Sequence, residues 1–162
     1  MGRSVTGGAP WVGRRLHFVG IGGAGMSGIA LVAAALGADV TGSDRAESAY
    51  VARLREAGID PAIGHDAHNL PDGDDVELVY STAVGPDNPE RARARERGLT
   101  ERHRADVLAE ITALRPTVAI TGTHGKTTTA AMTVHALSGA GAEVLGRLIG
   151  PVGRERPQGT CW

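Results

Sequence analysis

Short apolar runs alternate along the chain with longer segments in which apolar positions recur every three or four residues. The short runs predict buried strands, and the longer segments predict helices with one apolar face. Glycines follow three of the predicted helices, where a chain commonly adopts a left-handed conformation after the last turn. The predicted strands are Leu16–Gly20, Asp39–Ser43, Ile59–Ile63, Val76–Ser81 and Thr117–Thr121, and the predicted helices are Gly25–Leu36, Glu47–Ala57, Pro89–Arg97, Arg104–Leu114 and Lys126–Leu137.

This alternation predicts an α/β fold. Strands joined through helices pair in parallel by right-handed crossovers, so we expect a mostly parallel, doubly wound sheet flanked by helices. Pro116 interrupts the pattern, and a domain boundary is expected near Leu114–Pro116. The strand and helix that follow it predict one unit of a second domain.

The composition narrows the classes of function. The chain has 162 residues, a formal net charge of −1 and 41% hydrophobic residues, which excludes a disordered chain and gives no bulk charge for nucleic acid or an anionic membrane. No apolar stretch approaches the roughly 20 residues that span a bilayer. The single cysteine, Cys161, excludes an internal disulfide framework and a cysteine-based metal site. We therefore expect a protein of the reducing cytoplasm.

One segment is rich in arginine. Arg91–Arg104 could suggest a nucleic-acid surface, but Glu96 and Glu101 interrupt it and no aromatic residue is interleaved as a stacking platform. It is interpreted as a solvated helix face.

The chain is rich in glycine, with 24 glycines among 162 residues, and poor in aromatic residues, at 3%. Part of the glycine excess lies in loops between a strand and a helix. Gly20–Gly25 matches G-x-G-x-x-G in its required context, and Asp44 follows at the end of the next strand, where a ribose-binding acid would sit. The loop predicts a nucleotide diphosphate at a helix N-terminus. NAD(P) is one such nucleotide, and glycines that serve only helix packing are the structural alternative.

A second loop, Thr121–Thr128, resembles a P-loop, although Ile120 stands where the first glycine belongs. Lys126 could reach the β and γ phosphates, and the Thr127 hydroxyl could bind Mg²⁺. The loop therefore favours ATP or GTP. Two nucleotide loops in one chain fit an ATP-dependent transferase or ligase better than a simple dehydrogenase.

Five motifs follow one another in order: His17–Ala30, Gly42–Asp44, Ser81–Val84, Asp87–Glu90 and Gly122–Thr128. Together they resemble the N-terminal part of the Mur ligases of peptidoglycan synthesis, over roughly Arg15–Ala140. The first glycine loop, with His17 and Phe18 before it, is most similar to the alanine-adding members.

The resemblance implies a Rossmann-like sheet that binds the UDP part of a sugar nucleotide, then the first strand–P-loop–helix unit of a Mur-type ATPase domain. The implied organisation is a tail at 1–14, the UDP-sugar domain at 15–115, the start of the ATP domain at 116–145 and a divergent tail at 146–162. The implied reaction joins L-alanine to UDP-N-acetylmuramate through an acyl phosphate, with ATP and Mg²⁺, in cell-wall synthesis.

The resemblance also assigns residues. Lys126 and Thr127 would act on the transferring phosphoryl group, with Thr127 on Mg²⁺. The loop of Gly122, Thr123, His124, Gly125, Lys126, Thr127 and Thr128 would bind ATP, His124 serving to position it. The UDP-substrate residues would be Gly22, Gly23, Ala24, Gly25, Met26, Ser43, Asp44, Ser81, Thr82 and Ala83.

The sequence departs from the family after about Val144, and the family's other magnesium ligands lie beyond this chain. We therefore expect UDP-sugar binding without catalysis by the chain alone. A small NAD(P)-binding dehydrogenase and a non-catalytic nucleotide-sugar-binding module are the alternatives. His65 and His68 are interpreted as loop histidines near the cleft or on the surface, since no third metal ligand is evident.

Overall fold

The structure, a computed structural model, describes residues 9–114 and 117–141. Within these ranges five strands form one parallel sheet in the order β3-β2-β1-β4-β5. The strands are β1 (Arg15–Val19), β2 (Asp39–Asp44), β3 (Ala62–Ile63), β4 (Val76–Tyr80) and β5 (Thr100–His103). The helices are α1 (Ala24–Ala35), α2 (Ala49–Glu56), α3 (Pro89–Glu96), α4 (Arg104–Ala113) and α5 (Lys126–Gly139), with a 3-10 helix at Ala67–Asn69. The parallel sheet with flanking helices confirms the predicted fold class.

Alternate residues of the two central strands face opposite helical layers. Leu16 and Phe18 of β1 join a core cluster with α1, α2 and α4, whereas Val19 joins a second cluster against α3. Val79 and Leu78 of β4 divide in the same way. Because side chains of a strand alternate between faces, β1 and β4 are buried on both sides, which explains their near-continuous apolar sequence.

The short strand β5 was not predicted, and one predicted strand does not form. Residues 117–121 carry a strand-like sequence but have no strand conformation, and among the described residues none pairs with them. A strand is stable only beside another strand, so a single strand-like segment without neighbours stays unpaired.

Helix α5 forms as predicted, but nothing in the described part of the chain buries it. None of residues 117–141 is buried, and Met132 is 67% exposed. No helix within residues 9–114 or 117–141 is long and apolar enough to cross a membrane. The predicted divergent tail at 146–162, with Cys161, lies outside the described residues.

The segment just before β1 is part of the fold, although residues 1–14 were predicted to form a tail. The Trp11 side chain is buried in the first core cluster, and its backbone N–H donates to the Leu36 carbonyl at 3.0 Å. The Arg14 guanidinium stacks over the Trp11 ring, 4.5 Å from its centroid. These contacts close the C-terminal end of α1.

Gly42 sits where the sheet leaves no room for a side chain. It pairs with Phe18, and a Cβ there would lie 2.5 Å from the Phe18 carbonyl oxygen and 2.8 Å from Cδ1 of Ile21. Because backbone at the sheet centre cannot move aside, we expect Gly42→Ala to lower the free energy of unfolding by ~1–3 kcal/mol, as overpacking does. Urea denaturation measures it. Gly139→Ala, with nothing within 4 Å of its Cβ, is the matched control and should show no loss; equal effects would contradict the steric account.

Candidate nucleotide site

A pocket of about 710 Å³ opens at the carboxyl ends of the strands. It lies where chain order reverses between β1 and β4, the usual place for a ligand in a doubly wound sheet. Its volume suits a nucleotide. It is lined by Gly20, Gly22, Gly23, Met26, Asp44, Arg45, Ala46, Glu47, Ser48, His65, Ser81, Ala83, Val84, Gly85, Asp87, Asn88 and Pro89.

The structure brings most, but not all, of the predicted UDP-substrate residues to this pocket. Six of them line it: Gly22, Gly23, Met26, Asp44, Ser81 and Ala83. Ala24, Gly25, Ser43 and Thr82 are not among the lining residues. Ser43 is fully buried below the pocket, and its hydroxyl donates a hydrogen bond to the buried carboxylate of Glu90.

The N-terminus of α1 opens into the pocket. Its N-cap is Gly23, which has no side chain to accept a hydrogen bond, and the first turn carries no acidic residue. The first backbone N–H groups of a helix lack intrahelical acceptors, and the helix dipole adds positive potential there. The tight turn before it uses Gly20 at φ 74°, with the Gly23 N–H donating to the Gly20 carbonyl at 3.1 Å. This end of α1 is therefore suited to an anion.

Asp44 holds the glycine loop from the neighbouring strand. Its Oδ2 accepts a hydrogen bond from the Gly22 N–H at 2.7 Å. A Cβ at Gly22 would lie 2.8 Å from Cγ2 of Val51 and 2.9 Å from Asp44 Oδ2. The absence of a side chain at Gly22 is thus required for α2 to pack and for Asp44 to reach the loop, a reason that the fingerprint alone did not give.

The charges around the pocket are mixed. Arg45 and His65 are basic side chains of the lining, and Asp44, Glu47 and Asp87 are acidic ones. Glu47 is already paired, because the Arg55 guanidinium donates to both of its oxygens at 2.8 and 2.9 Å. Those hydrogen bonds lower the pKa of Glu47. The open acidic groups of the lining are therefore better matched to hydroxyl donors, such as those of a ribose, than to phosphate.

Arg91 fixes the loop that follows β4. It was interpreted as part of a solvated helix face, but it is only 9% exposed. Its guanidinium donates to Glu101 at 2.6 Å and to the Val84 carbonyl at 2.8 Å, and lies 3.6 Å from the Tyr80 ring centroid. Arg91 is therefore a structural residue that supports the wall of the pocket.

A buried carboxylate below the pocket was missed by the sequence interpretation, which took Glu90 for an acidic residue in the first turn of a helix. Glu90 and His17 are both fully buried, with Oε2 of Glu90 2.7 Å from Nε2 of His17. The Ser43 hydroxyl donates to the same carboxylate at 2.7 Å. Polar residues within the two apolar strands were the only signal that such a site exists.

The pKa of Glu90 makes folding sensitive to acid. Burial raises this pKa, but the hydrogen bonds from His17 and Ser43 and the charge of His17 outweigh it, so the pKa lies below its ordinary value. A lowered folded-state pKa stabilises the fold above the unfolded value of about 4.3 and loses that contribution as pH falls through the folded value.

We therefore expect the melting temperature of the parent chain to fall as pH is lowered below about 4.3. The melting temperature of Glu90→Gln should fall less steeply over that range. Thermal unfolding between neutral pH and acid checks it. Parallel curves for the two proteins would contradict the assignment to Glu90.

The second glycine loop is exposed, and its lysine is folded back onto it. Gly122 and Gly125 have φ of 144° and 77°, and Gly125 is the N-cap of α5 without a side-chain cap. Lys126 Nζ donates to the carbonyls of Gly122 at 2.5 Å and Thr123 at 3.3 Å. His124 lies exposed in the same loop. The loop geometry thus suits phosphate, at the open N-terminus of a helix.

No group of three or more His, Cys, Asp or Glu side chains in residues 9–114 and 117–141 could hold a metal ion. His65 reaches the pocket, whereas the His68 side chain is 97% exposed and bonds Asp66 at 2.6 Å. The side chains of His65 and His68 therefore lie in different surroundings.

Comparisons with known proteins agree on one relationship. The family model described as "Mur ligase family, catalytic domain" matches residues 15–115. Among curated proteins, the UDP-N-acetylmuramate–L-alanine ligase of Chelativorans sp. (strain BNC1) is 55% identical over 128 residues, covering 79% of this chain and 27% of the relative. The enzyme of the same name from Acidiphilium cryptum is 56% identical, covering 79% and 26%.

Solved structures show the same likeness. The UDP-N-acetylmuramate–alanine ligase of Thermotoga maritima aligns with a TM-score of 0.71 at 40% identity, covering 76% of this chain and 29% of the other. A murein peptide ligase of Psychrobacter arcticus aligns with a TM-score of 0.74 at 33% identity, covering 81% and 28%. The chain therefore spans about a quarter of the length of the curated relatives that it matches.

Proposed function

Because the chain belongs to the Mur ligase family, we propose that residues 15–115 bind the UDP part of UDP-N-acetylmuramate, the substrate to which the whole ligase joins L-alanine in peptidoglycan synthesis in the cytoplasm. The observation that carries this proposal is the uncapped N-terminus of α1, which opens into a pocket of nucleotide size. The relatives are UDP-N-acetylmuramate–L-alanine ligases, which supports the choice of substrate.

Within this pocket the chain's own groups divide the work of binding. The N–H groups of the first turn of α1, from Ala24 to Met26, would hold the diphosphate, since helix N-termini favour anions. The Gly22 N–H holds Oδ2 of Asp44, and Oδ1, which accepts a long hydrogen bond from the Ala46 N–H at 3.4 Å, would accept from ribose hydroxyls with its other lone pair. Ser81–Ala83 would lie around the uridine, on the loop that Arg91 supports through the Val84 carbonyl.

Residues 116–145 are proposed as the start of an ATP-binding domain. The loop of Gly122–Thr128 would surround the phosphates, and the Thr127 hydroxyl is the group in this segment that suits Mg²⁺. In the whole ligase, ATP would supply the phosphoryl group that activates the sugar's carboxylate as an acyl phosphate. Lys126, now on its own loop carbonyls, would turn to the phosphate oxygens and neutralise their charge.

The described part of residues 116–145 has no buried residue and no strand beside the loop. A phosphate loop keeps its geometry only when the surrounding sheet supports it. We therefore propose that this chain alone binds the UDP-sugar without forming the amide bond.

A charge placed at the start of α1 tests the site. Ala24→Asp adds a carboxylate to the first turn, which favours the helix dipole but repels a diphosphate. We expect it to weaken UDP-N-acetylmuramate binding by at least about tenfold, the effect of ~1.4 kcal/mol, without lowering the melting temperature. Calorimetric titration of the 162-residue chain measures it.

The matched control is Ala24→Asn, which has the same shape without the charge and should bind nearly as the parent does. NADH serves as the competing ligand. If NADH binds the parent chain and UDP-N-acetylmuramate does not, the site is that of a dinucleotide-binding protein and the proposal is wrong.

A further inference from the structure

Glu90 does more than close the interior of the fold, because its carboxylate also reaches a residue of the pocket. Oε1 of Glu90 lies 3.2 Å from Nδ1 of His65 and 3.3 Å from Nδ2 of Asn69. Asn69 in turn donates to the Gly64 carbonyl at 2.9 Å. One buried anion thus ties the 64–70 loop, which carries His65, to the central strands β1 and β2.

The protons of this network determine which nitrogen of His65 faces the pocket. An ionised carboxylate only accepts hydrogen bonds. Ser43 has a single hydroxyl proton, which it donates to Glu90, so its oxygen acts as an acceptor toward Nδ1 of His65 at 2.9 Å. Both neighbours of Nδ1 therefore accept, and Nδ1 must carry a proton.

The other ring nitrogen is then open toward the pocket. His65 lines the pocket with its side chain 21% exposed, and Nε2 has no hydrogen-bond partner within the described residues. A neutral ring with a proton on Nδ1 presents a lone pair at Nε2, which repels an anion. A second proton turns the same nitrogen into a hydrogen-bond donor with positive charge.

We propose that Glu90 is a positioning residue for the pocket: together with Ser43 it holds His65 as the Nδ1–H tautomer, so that a phosphate-bearing ligand binds with uptake of one proton at Nε2. The proton comes from solvent and forms an N–H bond, and no bond of the ligand breaks. The identity of the ligand rests on the function proposed above.

Charged groups face His65 from several elements. Glu90 faces it from α3, and Asp44, Glu47 and Asp87 share its pocket, whereas Arg45 opposes a second positive charge. Asp66, the next residue, is turned away toward His68. Ser43 and Asn69 are neutral.

Nitrogen-15 NMR of the histidine side chains tests the positioning without any ligand. In the parent chain His65 should show a protonated Nδ1 and an unprotonated Nε2. Glu90→Gln replaces one acceptor oxygen by a donor amide, so the two nitrogens should move toward a tautomer mixture. Glu96→Gln, on the exposed end of the same helix, is the matched control and should leave the pattern unchanged. A parent chain with the proton on Nε2, or a folded Glu90→Gln chain with the parental pattern, overturns the proposal.

Calorimetry in buffers of different ionisation enthalpy counts the protons taken up. UDP-N-acetylmuramate binding to the parent chain should take up a fraction of a proton near neutral pH, and this fraction should fall to near zero in His65→Asn. Asparagine places an amide donor where Nδ1–H was but cannot accept the second proton. Unchanged uptake in His65→Asn, or no uptake by the parent chain, overturns the proposal.

The NMR measurement and the calorimetric titration still test the proposal if one variant does not fold or one ligand does not bind. Should Glu90→Gln not fold, the parental tautomer and the His65→Asn titration still decide. Should UDP-N-acetylmuramate not bind, the proposed function fails, while pyrophosphate replaces it as the probe for proton uptake and NMR still tests Glu90.

Discussion

Glu90→Ala is expected to lower the free energy of unfolding by ~3–5 kcal/mol, the range for removing one partner of a buried ionic pair. The loss has a specific origin. His17 and Ser43, both fully buried, would keep their donors but lose the acceptor. An unpaired buried polar group costs more than the net gain of the hydrogen bond it made.

Urea denaturation at neutral pH measures this loss. Glu96→Ala is the matched control, because Glu96 is on the same helix with its side chain 67% exposed and pairs with Arg93 at 3.4 Å. We expect the control to change stability by less than about 0.5 kcal/mol. A similar loss in both variants would mean that helix propensity, rather than the buried network, carries the effect.

Phe18→Ala is expected to lower the free energy of unfolding by ~3–5 kcal/mol, the second large effect. Phe18 is the single phenylalanine of the chain and is fully buried in the central strand, paired with Gly42 on one side and Val79 on the other. Phe18 shares its core cluster with the ring of Trp11, but Trp11 is held at the end of α1 by its hydrogen bond to the Leu36 carbonyl and by the Arg14 guanidinium over its ring. The cavity would therefore persist, and its volume adds to the loss of buried area.

Chemical denaturation of Phe18→Ala beside Val12→Ala checks this prediction, since Val12 is an apolar residue with 74% exposure. The control should stay within about 0.5 kcal/mol of the parent. Folded domains have only ~5–15 kcal/mol of stability, so the Phe18 variant should also melt at a clearly lower temperature. A loss below about 1 kcal/mol would show that the core rearranges to fill the space.

The fold was predictable where the pattern of apolar residues in the sequence matches the pattern of buried residues in the structure. β1 and α1 follow from an apolar run, a glycine loop and a glycine end, because both elements are largely buried. β5 was missed, since its sequence at Thr100–His103 is polar and only pairing with β4 makes it a strand. Thr117–Thr121 shows the reverse, with a strand-like sequence but no described partner.

The position of the pocket was predictable from the sequence, but the buried hydrogen-bond network of Glu90 below it was not. The spacing of the glycines located the N-terminus of α1 without a side-chain cap, because that geometry is local. Glu90 meets His17 from 73 positions away and Ser43 from 47. No pattern in one sequence reports such distances, and Glu90 at a helix start already had an adequate local explanation in the helix dipole.

The central place of β1 has a consequence for synthesis on the ribosome. β1 pairs with β4, which begins about 60 residues later in the chain. At about 5–20 residues per second, translation leaves β1 without its second neighbour for roughly 3–12 s. Glu90 is made later still, so the two buried groups of β1 and β2 that it satisfies remain hydrated until α3 emerges. The central strand of the sheet is thus the one that waits longest for its second neighbour, with Leu16, Phe18 and Val19 still exposed to solvent on the nascent chain.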